Sequence, residues 1–195
     1  MGRRALHLFA VVLAVVVATA CSSAGAKKPA VSSAAGGNAT VERVVDGDTI
    51  IVRINGRRER VRFIGMDTPE SVKPNTPVQC FAIEASNRTK TLLPPGTPVR
   101  LVGDVEQRDR YKRLLAYVYR ARDNLFVNLA LARDGYAVPY TFPPNVAHTD
   151  EFVTAARDAR EAGRGLWSAC GPDQRPSHPD VATFKGDERT AASGA

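Results

Sequence analysis

Long apolar runs are scarce in this chain of 195 residues, and the one present, Leu8 to Ala18, is 11 residues long. A spanning helix needs roughly 20, so a multi-pass membrane protein is excluded. Histidine is scarce too, with three in all. His7 borders that apolar run and His178 lies in a polar tail, so chemistry built on paired histidines is not expected. The three cysteines form no CxxC pair and no HxxxH spacing exists, which argues against a zinc site. The patterns GxSxG, HExxH, Walker A and GxGxxG are all missing.

What is present is ordinary globular material, 44% hydrophobic and 24% charged. Its N-terminus has the layout of an export signal, with Arg3 and Arg4 before the apolar run and Ala18-Thr19-Ala20 as a small-residue cleavage site. Residues 1–20 are therefore expected to be a signal peptide, and the mature chain to begin at Cys21. A cysteine there resembles the lipobox of bacterial lipoproteins, so lipidation of Cys21 is expected, with plain secretion as the alternative. Either way the protein is expected outside the cytoplasm, held to the membrane only by that lipid or released. Without Arg3 and Arg4 the 27 basic residues become 25 against 20 acidic ones, a net of +5. That excess suits a polyanionic partner without requiring one.

Ser22 to Asn38 is rich in Ser, Ala, Gly and Lys and reads, within residues 21–39, as a flexible tether. Residues 171–195 are polar and Pro-rich and are expected to be a disordered tail. The folded unit is expected over residues 40–170. In an oxidising compartment, with Cys21 lipidated, Cys80 and Cys170 remain as an even pair and are expected to form a disulfide. That bridge is expected to clamp the domain's end without touching the active site.

Within the unit, Val41 to Val45, Thr49 to Ile54 and Arg57 to Ile64 have strand periodicity, the last two joined by an Asn55-Gly56 hairpin turn. Pro98 to Val105 and Leu114 to Tyr119 add two strands. Helical spacing appears at Phe81, Ala85 and Leu92, at Val127, Ala130 and Leu131 before Gly135, and at Phe152, Ala155, Ala156 and Ala159 before Gly163. The order β-β-β-α-β-β-α-α predicts an α+β fold, a small barrel with helices packed on it.

The polar residues that could do chemistry are acids and arginines. Asp46 and Asp48 stand two apart at a strand start, where an extended chain turns both carboxylates the same way. Asp67-Thr68-Pro69-Glu70 follows the third strand. Brought together, three Asp and one Glu make an oxygen-rich pocket suited to a hard cation such as calcium; taken singly, these are ordinary turn residues. Arg62 faces away from Val61 and Phe63, and Arg110, Lys112 and Arg113 surround Tyr111, a setting for a base and its phosphate. Metal and arginine together describe phosphoryl-transfer chemistry.

Val44-Val45-Asp46-Gly47-Asp48-Thr49, Val61 through Glu70, Asp109 through Val118, Val127-Asn128 and Gly165-Leu166-Trp167 stand in this order. The pattern resembles the staphylococcal nuclease (thermonuclease) family over roughly Val41 to Trp167. The resemblance implies a five-stranded OB-fold barrel with three helices and a calcium-dependent nuclease of single-stranded DNA and RNA that leaves 3′-phosphates; a monomer is expected. It implies calcium on the carboxylates of Asp48 and Asp67 and the carbonyl of Thr68, with Asp46 just behind them. Glu70 would assist the attacking water. Arg62 and Arg113 would hold the phosphate, Arg113 toward the leaving oxygen, and Arg110, Tyr111 and Tyr140 would lie along the nucleotide. One position departs from the family pattern, since Lys112 stands where glycine is usual; if that residue needs a positive φ, lysine costs about 1 kcal/mol.

A catalytically retired barrel that only binds oligonucleotide or oligosaccharide is the competing expectation. The presence of Asp48, Asp67, Glu70, Arg62 and Arg113 together favours the enzyme. A two-carboxylate glycosidase would leave both arginines without a role.

Overall fold

The computed structural model describes residues 37–72 and 77–176. The expected signal peptide, Cys21, most of the tether and residues 177–195 lie outside them.

Three strands form the predicted meander: β1 (Ala39–Val44), β2 (Thr49–Ile54) and β3 (Arg57–Phe63). Asn55 and Gly56 turn the β2–β3 hairpin with φ of 50° and 80°, the pair of positive values such a two-residue turn demands. β1 then pairs with β5 (Pro98–Val102), and β5 with β6 (Leu114–Arg120). β6 returns alongside β3 in parallel, Val61 opposite Leu114 and Arg62 opposite Leu115, closing a five-stranded barrel. The α+β OB-fold expectation is met. Closure removes the sheet edges and gathers Val41, Ile50, Val52, Val61, Phe63, Val99 and Val118 inside, none more than 1% exposed.

Three helices cover the barrel: α1 (Ala82–Leu92), α2 (Val127–Arg133) and α3 (Thr149–Glu161). α2 and α3 bury the stripes their spacing predicts, for α3 Phe152, Ala155, Ala156 and Ala159, while in α1 Ala85 and Leu92 are buried but Phe81 caps the helix at φ 67° and is half-buried. Asp150 and Glu151 in the first turn of α3 and Arg160 in its last complement the helix dipole. Asn128 joins α2 to the barrel. Fully buried, it donates to the carbonyls of Ile64 at 3.0 Å and Ala116 at 3.1 Å and accepts from the Val118 amide at 2.9 Å. Its three bonds tie α2 to backbone groups of the barrel, the Ala116 carbonyl also accepting from the Ile64 amide at 3.2 Å.

Four short elements escape the periodicity argument because they are too brief to show a period. β4 (Gly65–Asp67) pairs with β8 (Val138–Tyr140), β7 (Leu125–Phe126) pairs with the end of β6, and α4 (Leu166–Ala169) precedes Cys170. Gly65 has φ 84°, and a Cβ there would lie 2.1 Å from the Phe152 ring, so β4 enters only where the chain has no side chain. The fifth strand stops at Val102, short of the expected Val105, because Asp104 leaves the sheet. Its carboxylate accepts from the Tyr117 hydroxyl at 3.1 Å and the Ala147 amide at 3.0 Å.

Both ends of the folded unit also move outward. β1 starts at Ala39, inside the expected tether, and the chain beyond Cys170 forms a 3₁₀ turn at Pro172–Gln174. Arg175 fixes that turn by donating to the carbonyls of Trp167 and Cys170, both at 2.9 Å, and its guanidinium lies 5.1 Å from the Trp167 ring centroid. Within the expected tail, residues 171–176 are thus held to the domain through Arg175, while Gly171 to Gln174 stay exposed.

Candidate active site

The turn before β2 is built by its own polar groups. Asp46 accepts from the Asp48 amide at 3.1 Å, the Phe63 amide donates to the Asp48 carbonyl at 2.8 Å, and Thr89 of α1 donates to the Gly47 carbonyl at 2.7 Å. This is a side-chain-closed turn. The expected extended geometry, with both carboxylates turned one way, is not what forms. A Cβ on Gly47 would lie 2.5 Å from the Thr68 hydroxyl, so glycine lets this turn press against the segment after β4.

That contact brings the two acidic motifs together. Asp48 Oδ2 accepts from the amide of Thr68 at 3.1 Å and from its hydroxyl at 3.0 Å. Arg62, arriving from β3, binds both Asp48 and Asp67. Asp46, Asp48, Arg62, Asp67, Thr68 and Glu70 line one cavity of about 580 Å³. Asp48 is 3% exposed and Asp46 8%, so negative charge is concentrated out of water. Burial first, and the Asp48 charge next, push the Asp46 carboxyl up to about 7. For Arg62, burial works against the charge, but Asp48 and then Asp67 outweigh it and hold its pKa above the ordinary arginine value.

Among the described residues no three His, Cys, Asp or Glu side chains converge as a ready-made metal cluster. What converges is two carboxylates, Asp48 and Asp67, on a single cation, the Arg62 guanidinium, beside the Thr68 backbone. The two carboxylates offer only oxygen, a donor type that fits a hard cation needing water and substrate to complete its shell.

Glu70 stands at the cavity wall, where its carboxylate accepts from the Val72 amide at 2.8 Å. Its backbone is gripped on both sides by Gln79, which accepts the Glu70 amide at 2.7 Å through Oε1 and donates its own amide to the Glu70 carbonyl at 3.0 Å. Gln79 adjoins Cys80, and Cys80 is bonded to Cys170 across 90 residues. The expected disulfide is therefore present, but not remote from the site: Cys80 and residues 173–176 line the same cavity. Gln79 and the Asp173–Pro176 segment escaped sequence reasoning. The one usable signal was that both neighbour a cysteine expected to pair.

The remaining candidates stand outside the cavity lining. Arg113 immediately precedes β6 and is held by Asp109, Nε to Oδ2 at 2.6 Å, while its amide donates to Asp109 Oδ1 at 2.9 Å. Tyr111 is 64% exposed, with the guanidinium of Arg110 4.8 Å and that of Arg113 5.5 Å from its ring centroid. Arg110 also donates to the Tyr111 hydroxyl at 2.7 Å. Tyr140 is half-buried at the end of β8, opposite Gly65, with Phe142 6.3 Å away. Lys112 has φ 65°, so the departure noted in the sequence is a real backbone strain. The loop nevertheless closes around it: the Lys112 amide donates to the Asp109 carbonyl at 2.9 Å and its carbonyl accepts from Arg108 at 2.8 Å.

A family model described as staphylococcal nuclease homologue matches residues 60–169. The chain is similar to the thermonuclease of Staphylococcus intermedius, with 40% identity over 160 residues that make up 82% of this chain and 94% of that one. It is similar to the thermonuclease of Staphylococcus hyicus, with 43% identity over 128 residues, 66% of this chain and 74% of the other. Endonuclease YncB of Bacillus subtilis (strain 168) is 39% identical over 135 residues, 69% of this chain and 63% of the relative.

Proposed function

Since the chain belongs to the staphylococcal nuclease homologue family and is a hydrolase acting on nucleic acid, we propose that it is a calcium-dependent endonuclease of single-stranded DNA and RNA. The observation that carries this reading is the convergence of Asp48 and Asp67 on one cationic point in a cavity that also holds Glu70. Calcium, held by Asp48, Asp67 and the Thr68 carbonyl with Asp46 behind them, would supply positive charge to the scissile phosphate.

The chain's own groups do the rest. The Glu70 carboxylate, steadied by Gln79, accepts a proton from water as its oxygen attacks phosphorus. Arg62 donates to the non-bridging oxygens as charge builds on them. The P–O5′ bond breaks while Arg113 hydrogen-bonds the departing oxygen, which takes its proton from solvent, leaving a 3′-phosphate and a 5′-hydroxyl. Tyr111, flanked by Arg110 and Arg113, offers a ring for base stacking, and Tyr140 borders the nucleotide from β8. Signal-peptide export and lipidation of Cys21 or plain secretion, supported by the N-terminal sequence, and a monomeric state complete the proposal.

Glu70→Gln tests the assignment. It is expected to lower kcat by about 10² or more with the melting temperature unchanged, since the carboxylate acts on the transition state and not on the core. Wild-type turnover in this variant would refute the role.

A further inference from the structure

Along β3 side chains alternate, so Arg58, Arg60 and Arg62 share the face opposite Val61 and Phe63. Arg62 ends in the catalytic cavity. Arg58 is paired with Glu42 at 2.7 Å, and Glu42 also takes Arg53 at 3.0 Å. Arg60, between them, is exposed and has no ion pair among the described residues.

Its surroundings sharpen the contrast. In the sheet register Ile51 of β2 lies opposite Arg60 on one side and Arg43 of β1 on the other. Arg43 is likewise exposed and without an ion pair among the described residues. Neighbouring strands run about 4.8 Å apart, so Arg43 and Arg60 stand on either side of one isoleucine, about 10 Å from each other along the sheet, the isoleucine itself only 9% exposed. The two positive side chains project from the same face with no acid paired to either among the described residues, so they repel, though less than a directly opposite pair would. An anion seated over Ile51 would reverse the sign of that interaction, and both long side chains can reach it.

The position matches a polymeric substrate. Arg60 is two residues from Arg62, a step of about 6.6 Å in an extended strand. Two residues of peptide and one nucleotide each run through six backbone bonds, so an extended nucleic-acid strand laid along β3 repeats at a similar interval. We infer that Arg43 and Arg60 form a second phosphate subsite over Ile51, one nucleotide from the scissile phosphate at Arg62. This inference rests on the nuclease reading. The subsite takes backbone and not base, so it adds affinity without sequence preference, and it favours a strand that can extend.

The test is binding of a fluorescently labelled single-stranded dodecanucleotide in chelator, followed by anisotropy from low to moderate salt. For the Arg43→Gln/Arg60→Gln variant we expect affinity about tenfold weaker than wild type. The slope of log affinity against log salt should be shallower by about 0.7, the value for one phosphate contact on a single strand. Arg43→Lys/Arg60→Lys should keep most of the slope, and the melting temperature of the glutamine variant should equal or exceed wild type as the repulsion is relieved. An unchanged slope, or no binding by the wild type, overturns the subsite. Hydrolysis with calcium is scored separately on wild type. A chain that shows the slope difference but cleaves nothing keeps the subsite and loses the catalytic reading, and a chain that cleaves while its variant keeps the wild-type slope does the reverse.

Discussion

Removing the Cys80–Cys170 bridge, as Cys80→Ala/Cys170→Ala, should damage stability and catalysis together. The bridge closes a separation of 90 residues, for which the chain-entropy relation gives about 4.6 kcal/mol at 25 °C, as an upper figure. In a domain of this size that corresponds to a melting temperature lower by on the order of 10–20 °C. The catalytic effect follows from a short path: Cys170 holds Cys80, Cys80 adjoins Gln79, and Gln79 makes the 2.7 Å and 3.0 Å hydrogen bonds that fix the Glu70 backbone. Loosening one such positioned bond is worth about 1 kcal/mol, so kcat should fall roughly three- to tenfold, with KM changed less. Scanning calorimetry and single-strand hydrolysis, the latter well below the variant's melting point, read the two effects. A melting temperature within about 3 °C of wild type would refute the entropy argument, and wild-type kcat at low temperature would refute the coupling through Gln79.

Lys112→Gly removes the side chain from a residue at φ 65° and should stabilise the domain by about 0.5–1 kcal/mol in thermal unfolding. Because Asp109 already fixes Arg113, kcat should stay within about twofold of wild type; a large rise would mean that the lysine misplaces Arg113. Arg62→Ala should lose both activity and about 3 kcal/mol of stability, since Asp48, 3% exposed, is left without its cation. An unaltered melting temperature would contradict that. Tyr117, buried and bonded to Asp104, has its hydroxyl pKa raised, by burial first and by the Asp104 charge next. Its raised folded value means a contribution fully present below about pH 10 and lost as pH climbs past it, so Tyr117→Phe should flatten the loss of stability seen in alkaline titration.

The β2–β3 hairpin was legible because alternation and Asn55-Gly56 are local signals, and both ends of each strand fall within a residue of expectation. The parallel closure of β3 on β6 was not, since nothing local marks a pairing between Val61 and Leu114, more than 50 residues apart. The element order predicted a small barrel with helices on it, but its five-stranded OB form came only from the family resemblance. At the site, the acids were legible as residue types, but their geometry was misread. Asp46 bends the chain to receive the Asp48 amide instead of pointing in parallel with it. Gln79 was silent for a physical reason: its role comes from reaching Glu70, nine residues away in the chain, and neither its identity nor its spacing encodes that reach.

The account's central claim is tested most directly by incubating the protein with a 5′-labelled single-stranded DNA oligonucleotide, with calcium or with excess EGTA, and resolving product lengths and ends. The expected result is internal cleavage yielding 3′-phosphate ends in calcium and none in EGTA. Equal cleavage in EGTA would contradict a site built on Asp48, Asp67 and a hard cation, and no cleavage in either condition would contradict the enzyme itself.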